Sequence, residues 1–178
     1  MCPYCDFNSH VAEGTDQKRW RAAYRAEIEH AAATGPRLVT SVYFGGGTPS
    51  LMEPATVAAV LQAVGGAWTL QGDAEITLEA NPDDLSPEKL RELKQTPVNR
   101  LSIGIQSFHD VDLRFMNRAH SAEEASSCIE NTRAAGFENL TIDLIYGAPT
   151  TGDAQWEKNI QLALDFEVPH LSCYCLTV

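Results

Sequence analysis

The 178-residue sequence is long enough for one domain with a sizeable core, and its 44% hydrophobic and 21% charged content is ordinary for a globular protein. Its formal net charge of −11 opposes binding to DNA or RNA, because nucleic-acid affinity depends largely on Lys and Arg neutralising phosphates. No stretch approaches the roughly 18–20 consecutive apolar residues of a membrane-spanning helix. We therefore expect a cytoplasmic protein with no transmembrane segment and no nucleic-acid partner.

Helix and strand patterns alternate along the chain from Trp20 to the end. In chain order they predict a helix through Trp20 and Ala31, a buried strand at 38–44, a helix from Pro54 to Gly65, a strand at 75–78 and a short helix opened by Ser86. A strand at 101–105, a helix from Ser121 to Gly136, a strand at 140–145, a helix capped by Asp153 and a strand at 170–176 follow. Such alternation predicts an α/β fold with a parallel sheet, although periodicity leaves a doubly wound sheet and a barrel both open. Ligands gather at the carboxyl ends of the strands in either architecture.

A glycine-rich segment follows the first predicted strand directly. Gly45, Gly46 and Gly47 allow the backbone to turn sharply before Thr48 and to present its amides to a ligand. The segment lacks both the Lys-Ser/Thr ending of a P-loop and the Gly-x-Gly-x-x-Gly spacing of a dinucleotide site. A ligand-binding loop and a plain tight turn both fit this composition, and we favour the ligand-binding loop.

Polar side chains lie near the ends of three other apolar strands. These are Glu79, Gln106 and Asp143, and their shared location predicts a site for a ligand with hydroxyl and ammonium groups, because buried charge is costly without a partner. Arg118 can bind a carboxylate bidentately or pair with an acidic neighbour on the surface. His120 fits a structural role at the start of a helix as well as it fits a site.

The five cysteines are unlike a secreted disulfide framework, because their number is odd and their spacing uneven. Cys2 and Cys5 form a Cys-x-x-Cys pair, which fits zinc binding, thiol-disulfide exchange or ligation of an iron-sulfur cluster. Cys128 lies in a helical pattern and is predicted to be a small buried hydrophobe. Cys173 and Cys175 point to one face of a strand and are predicted to pack there, with Cys175 the better candidate to line a site.

Five segments taken together resemble the HemW family, which is related to oxygen-independent coproporphyrinogen III oxidase within the radical S-adenosylmethionine (SAM) superfamily. They are Cys-Pro-Tyr-Cys-Asp-Phe, Tyr-Phe-Gly-Gly-Gly-Thr-Pro-Ser, Thr-Leu-Glu-Ala-Asn-Pro-Asp, Asn-Arg-Leu-Ser-Ile-Gly-Ile-Gln-Ser-Phe and Ile-Asp-Leu-Ile-Tyr-Gly-Ala-Pro. Their order and spacing agree over practically the whole chain. The superfamily's cluster motif is Cys-x-x-x-Cys-x-x-Cys.

The resemblance implies a partial parallel (β/α) barrel that holds a 4Fe-4S cluster and SAM. Cys2 and Cys5 would be the second and third iron ligands, and the remaining iron would take the amino and carboxylate groups of SAM. The implied SAM pocket consists of Gly46, Gly47 and Thr48 around the methionine part, completed by Glu79, Gln106, Arg118 and Asp143, with Thr177 on the adenine side. In the superfamily an electron from the cluster cleaves SAM to methionine and a 5′-deoxyadenosyl radical, so the cofactors carry the chemistry.

Within this group the resemblance favours a heme chaperone, which binds heme and delivers it to apo-hemoproteins. The residue two after the last cluster cysteine is Phe7, as in HemW-like chains, whereas the oxidases have a cysteine there. The segment from Asn117 to Ser121 is similar to the family's Gly-Arg-x-His-Ser apart from its first residue. The alternatives are an oxygen-independent coproporphyrinogen III oxidase, which decarboxylates porphyrinogen propionates, and a non-catalytic remnant.

The resemblance also implies that residues 1–178 are one radical SAM core domain, incomplete at both ends. Met1 stands immediately before Cys2, so the first cluster cysteine and the first barrel strand are expected to be missing. With two of three cluster thiolates, the chain is expected not to hold a stable cluster. Iron and sulfide analysis showing about four irons per chain after reconstitution would contradict this expectation.

Overall fold

The structure is a computed structural model that describes residues 4–5 and 14–176. Within these residues five strands alternate with six α-helices. The strands are β1 (Leu38–Phe44), β2 (Thr69–Ala80), β3 (Arg100–Gln106), β4 (Asn139–Tyr146) and β5 (His170–Cys175). The helices are α1 (Gln17–Ala32), α2 (Pro54–Ala67), α3 (Pro87–Leu93), α4 (Asp110–Phe115), α5 (Ala122–Ala134) and α6 (Asp153–Asp165), with short 3-10 helices at Pro49–Leu51 and Pro82–Asp84.

The five strands form one sheet in the order β1-β2-β3-β4-β5, and every neighbouring pair is parallel. The sheet curls into a half-barrel with helices around it, which confirms the predicted α/β fold of the partial parallel barrel type. Parallel neighbours need a crossover connection, and the helices between the strands supply it. Among the described residues, no helix is both long and apolar enough to cross a membrane.

The two faces of the sheet differ sharply in chemistry. One face is apolar and packs with α2, α3 and α5 into the hydrophobic core, to which every strand from β1 to β4 contributes buried side chains. The opposite face carries polar side chains that hydrogen-bond to one another across the strands. We call this the inner face, and its members are Tyr43, Thr77, Glu79, Arg100, Ser102, Thr141, Asp143 and Ser172. A polar inner face is suited to a polar ligand rather than to further core packing.

Two helix starts follow directly from their sequences. The Ser86 hydroxyl accepts a hydrogen bond of 3.2 Å from the Lys89 backbone N–H and begins α3. At α5 the Ser121 hydroxyl accepts from the Glu124 N–H at 3.2 Å, and the Glu124 carboxylate accepts from the Ser121 N–H at 2.7 Å. This reciprocal pair is the predicted capping box, and it is confirmed.

Several predicted boundaries are wrong. Asp153 is the first residue of α6, and Gly152 occupies the cap position without a side-chain cap. Helix α2 continues through Gly65 and Gly66 to Ala67, because packing of its buried apolar face outweighs the weak helix propensity of glycine. Strand β2 is 12 residues long and starts at Thr69, well before the predicted strand.

Helix α4 and the exposure of β1 were not predicted from the sequence pattern. Helix α4 has 6 residues, which is too short for apolar periodicity to register. Strand β1 was expected to be buried, but most of its side chains are exposed or half-buried. The reason is its position at the edge of the sheet, where it pairs with β2 alone among the described strands.

Candidate functional site

Glu79 fixes the glycine loop that follows β1. Its carboxylate accepts a hydrogen bond of 2.8 Å from the Tyr43 hydroxyl and one of 3.1 Å from the Gly46 backbone N–H. Gly46 has a φ of 128°, a conformation that side chains other than glycine's rarely adopt, and nothing lies within 4 Å of where its Cβ would be. The loop therefore turns sharply and leaves open space on one side of Gly46.

The residues that follow the glycines are anchored by hydrogen bonds to the segment after β2. Gly47 is exposed, and Thr48 is half-buried at the start of the 3-10 helix Pro49–Leu51. The buried Ser50 hydroxyl donates to the Asp84 carboxylate at 2.9 Å, and the Lys89 ammonium donates to the Ser50 carbonyl. These contacts tie the loop after β1 to the segment after β2.

Arg118 reaches the carboxyl end of β3 from the segment between α4 and α5. Its Nη2 donates to the Asn81 side-chain oxygen at 2.7 Å and to the Gly104 carbonyl at 2.9 Å. These two acceptors hold one side of the guanidinium against the strand ends. A fixed guanidinium at this position is suited to a carboxylate.

The side chain of Gln106 lies over Gly104. A Cβ added to Gly104 would be 2.7 Å from the Gln106 Nε2, closer than real Cβ contacts, and 3.4 Å from the Asn81 Oδ1. Gln106 is itself unusual, because it has a φ of 68° without being a glycine. Because Gly104 has no side chain, the Gln106 amide and the Arg118 guanidinium can both lie close to the position where its Cβ would be.

Asp143 places a second carboxylate on the inner face. The Ser102 hydroxyl donates to it at 3.5 Å. Burial raises the pKa of Asp143 and the negative charge of Glu79 adds to the effect, although a hydrogen bond from Ser172 opposes it. Two neighbouring carboxylates form a site where a cationic group is stabilised.

Tyr43 is bonded to Glu79 and lies within the influence of the Asp143 charge. Tyr43 is 55% exposed as a residue, but partial burial of the phenol raises its pKa to about 12, and its hydrogen bond to Glu79 adds to this effect. The negative charge of Asp143 also raises the Tyr43 pKa, which shows that all three groups share one electrostatic environment. The phenol is therefore a donor at every pH in the ordinary range.

Tyr4, inside the Cys-x-x-Cys motif, contacts the same site. Arg118 Nη1 donates to the Tyr4 hydroxyl at 3.3 Å, and Tyr4 directly precedes the half-buried Cys5. Cys2 and Thr177 lie outside the described residues. Within residues 4–5 and 14–176, no three His, Cys, Asp or Glu side chains are grouped so as to hold a metal ion.

The remaining cysteines have mixed outcomes. Cys128 is buried in the core, as predicted, and burial raises the pKa of its thiol to about 11. The prediction that Cys173 and Cys175 pack against neighbours is wrong, since both are exposed on β5. Cys175 lies beside Gly147, at the carboxyl end of β4.

Sequence patterns do not single out three members of this site, namely Tyr43, Asn81 and Gly104. Gly104 does carry a signal, because an isolated glycine inside an apolar strand indicates a bulge or a close approach. The register of β3 against β4 shifts between Ile103 and Gln106, which is such an irregularity. Asn81 and Tyr43 act through partners that are distant in sequence, so local patterns give no sign of them.

The site thus offers two kinds of charge at the carboxyl ends of neighbouring strands. Glu79 and Asp143 attract a cationic group, whereas Arg118 attracts an anionic one. Gln106 adds a neutral amide, and Gly46 leaves open space beside the loop. This donor set fits a ligand that carries both an ammonium and a carboxylate.

Comparison with known proteins finds relatives whose matches cover nearly the whole chain. The mitochondrial radical S-adenosyl methionine domain-containing protein 1 of Bos taurus is 39% identical over 99% of this chain and 40% of its own length. Heme chaperones HemW of Mycobacterium tuberculosis and Escherichia coli are 37% and 34% identical, and each match covers 99% of this chain. The chain spans 46% and 47% of the length of these two HemW proteins.

Among solved structures, coproporphyrinogen III oxidase (HemN) of Escherichia coli, described as a radical SAM enzyme, matches with a TM-score of 0.88 and 27% identity. The match covers 99% of this chain and 41% of that structure. A family profile described as the Radical SAM superfamily matches residues 1–163. With the family profile, the relatives and the half-barrel all in agreement, the chain belongs to the radical SAM superfamily.

Proposed function

We propose that this chain is the SAM- and cluster-binding core of a heme chaperone similar to the HemW proteins. Membership of the radical SAM superfamily implies a 4Fe-4S cluster and SAM. In the family the cluster supplies an electron and SAM supplies the adenosyl group for radical chemistry. The work of this chain's own residues is to ligate, orient and shield these groups.

The proposed roles match the chemistry of each side chain. Cys2 and Cys5 would ligate iron as thiolates. The residues proposed to hold SAM are the loop of Gly46, Gly47 and Thr48 together with Glu79, Gln106, Arg118 and Asp143. SAM has an ammonium and a sulfonium, which suit the two carboxylates, and a carboxylate, which suits the guanidinium.

The single observation that carries the SAM assignment is the arrangement of opposite charges over Gly104 and beside Gly46. Arg118 is held by Asn81 and the Gly104 carbonyl, while Glu79 is held by Tyr43 and the Gly46 N–H. Each charged group is held by fixed partners and is therefore pre-organised for a ligand. Pre-organisation lowers the entropy cost of binding.

Calorimetric titration of SAM tests this assignment, with and without reconstituted iron and sulfide. Arg118→Gln should weaken SAM binding roughly 10- to 100-fold, because a hydrogen bond to a charged group contributes about 1.5–3 kcal/mol. It should leave 5′-methylthioadenosine unaffected, since that ligand lacks the amino-acid part. The matched control is Arg91→Gln, at an exposed arginine on α3 that pairs with Glu88. Equal losses for the two ligands would contradict the assigned role of Arg118.

The choice of heme chaperone over oxidase is supported by similarity. Two proteins named heme chaperone HemW are 37% and 34% identical to this chain, compared with 27% for the oxidase structure. Phe7, which lies outside the described residues, is the HemW-like residue after the cluster cysteines. A role in delivering heme to apo-hemoproteins, a cytoplasmic location and the lack of a nucleic-acid partner belong to the same proposal.

A second candidate function is the oxidation of coproporphyrinogen III, favoured by the TM-score of 0.88 to that oxidase. The two candidates are separated by an anaerobic assay with a version of the chain that carries a third cluster cysteine ahead of Cys2 and a reconstituted cluster. The assay contains SAM, a reductant and coproporphyrinogen III, and protoporphyrinogen is scored by chromatography. Formation of many product molecules per chain would reject the chaperone proposal. A parallel heme titration followed at the Soret band should show saturable binding to the chaperone, and absence of binding would also reject it.

A further inference from the structure

The end of β3 contains a rare backbone reversal. Gln106 has a φ of 68°, and the Ser107 N–H donates to the Ile105 carbonyl at 2.9 Å. A hydrogen bond between residues two apart around a residue of positive φ is a γ-turn of the strained kind. Strained backbone of this kind persists only where the surrounding structure holds it, and it concentrates at functional sites.

The reversal coincides with a close approach inside the candidate site. The Gln106 amide nitrogen lies 2.7 Å from the position a Cβ on Gly104 would take, near Arg118 and Asn81. The register shift between Ile103 and Gln106 shows that β3 leaves regular pairing at the same point. The γ-turn therefore directs the Gln106 amide back over Gly104 rather than away from the sheet.

His120 holds this turn from outside β3. Its Nε2 lies 3.0 Å from the Ile105 carbonyl oxygen, the same oxygen that accepts from Ser107. A carbonyl can only accept, so Nε2 carries the proton and donates. The His120 side chain is fully buried, and the nearest carboxylate oxygen to its Nδ1 belongs to Asp83 at 3.9 Å. Burial lowers the pKa of His120, which keeps the ring neutral.

A second set of contacts holds the other side of the turn. The Ser107 hydroxyl donates to the buried Asp112 carboxylate at 3.1 Å, and Asn159 accepts from the Phe108 N–H at 2.8 Å. The Thr150 hydroxyl donates to Asp112 at 2.6 Å, which ties in the loop after β4. His120 and this cluster act on opposite sides of Gln106, so each can be tested separately.

We propose that His120 is a positioning residue that acts through Gln106. By donating to the Ile105 carbonyl it stabilises the γ-turn, and the γ-turn keeps the Gln106 amide over Gly104 where the ligand is bound. The inference rests on the proposed SAM function for its effect on binding, but its structural part does not. A role in packing alone would stabilise the chain without any link to Gln106.

A double-mutant cycle on SAM affinity tests the link. His120→Leu should weaken SAM binding roughly fivefold to tenfold, comparable to the loss of one hydrogen bond to the ligand. In a Gln106→Ala background the same change should alter the affinity less than about twofold. His120→Gln, which places an amide donor near the position of Nε2, should restore most of the affinity, and His30→Leu on α1 is the control.

Hydrogen exchange at the Ser107 amide supplies a readout that is independent of SAM. Exchange should be faster in His120→Leu than in the wild type and near wild type in His120→Gln. If His120→Leu does not fold, His120→Asn replaces it, since the shorter amide does not reach the carbonyl. Equal SAM losses with and without Gln106, or unchanged Ser107 exchange, would overturn the inference. A wild-type chain that binds no SAM but shows the exchange difference would reject the proposed function and retain the role of His120 in the turn.

Discussion

Gly104→Ala tests whether the crowding above β3 serves ligand binding. The added Cβ would lie 2.7 Å from the Gln106 Nε2, so the amide must move, whereas Asn81 and Arg118 would remain at ordinary contact distances of 3.4 and 3.5 Å. Because Nε2 is the end of a flexible side chain, the displacement costs little stability. We expect the free energy of unfolding to change by less than about 1 kcal/mol.

Gly104→Ala should instead lower the affinity for SAM. A displaced amide forfeits one hydrogen bond to the ligand, which contributes about 1 kcal/mol, so SAM affinity should fall roughly fivefold. Calorimetric titration measures this loss, and thermal unfolding measures stability. The matched control is Gly136→Ala, where a φ of 88° makes alanine strained at a position remote from the site.

The two variants should therefore show opposite behaviour. Gly136→Ala should lose about 1 kcal/mol or more of stability and keep its SAM affinity, since its cost is confined to the backbone after α5. Wild-type SAM affinity in Gly104→Ala would refute a ligand contact through the Gln106 amide. Severe destabilisation of Gly104→Ala would refute the view that a flexible side chain absorbs the clash.

Three further predictions concern titration, reactivity and stability. Spectrophotometric titration should show one tyrosine ionising near pH 12 and not near 10, because burial and the bond to Glu79 raise the Tyr43 pKa to about 12; Tyr43→Phe should remove this late step. The raised pKa means that Tyr43 stabilises the fold fully below about pH 10 and that this contribution is lost as pH rises through about 12. Iodoacetamide at pH 8 should modify the exposed Cys173, although slowly, because burial and the negative charge of Asp143 raise the pKa of its thiol. It should leave Cys128 unmodified until the chain unfolds, as followed by peptide mass spectrometry, since Cys128 is buried and burial raises its pKa to about 11. Ser121→Ala should lower the free energy of urea unfolding by about 1 kcal/mol, because it removes the capping box of α5.

Each of these predictions has a result that would count against it. If all tyrosines ionised together near pH 10, the Tyr43 environment described above would be wrong. Alkylation of Cys128 as fast as Cys173 in the folded chain would show that its thiol is accessible. An unchanged urea midpoint for Ser121→Ala, with Ser127→Ala on the same helix as control, would mean that the capping box contributes nothing measurable.

The location of the candidate site was predictable from the sequence because it follows from architecture. Alternating strands and helices predict a parallel sheet, and the carboxyl ends of parallel strands meet at one edge. Glu79, Gln106 and Asp143 stand near those ends in the sequence, and the structure has them on β2, β3 and β4. The helix start at Ser121 was also predictable, because its hydrogen bonds join residues that are near neighbours in the sequence.

The internal geometry of the site was not predictable from the sequence. Positive φ at Gln106 has no local signature, because glycine is the residue that ordinarily marks such a conformation. The bond between Arg118 and Asn81 joins residues 37 apart, and no spacing rule relates them. The exposure of β1 depends on its place at the edge of the sheet, which periodicity does not give.

The order of the strands has a consequence for how the chain folds during synthesis. Because neighbours in the sheet are also successive strands in the chain, each strand can pair with the one that left the ribosome just before it. Each pairing then closes a loop no longer than one crossover connection, which limits its loop-closure entropy. Glu79 arrives with β2, Gln106 with β3 and Asp143 with β4, so the site is completed residue by residue. Ligand affinity should therefore appear in steps as nascent chains lengthen, with the full acidic pair present only after β4 has been added.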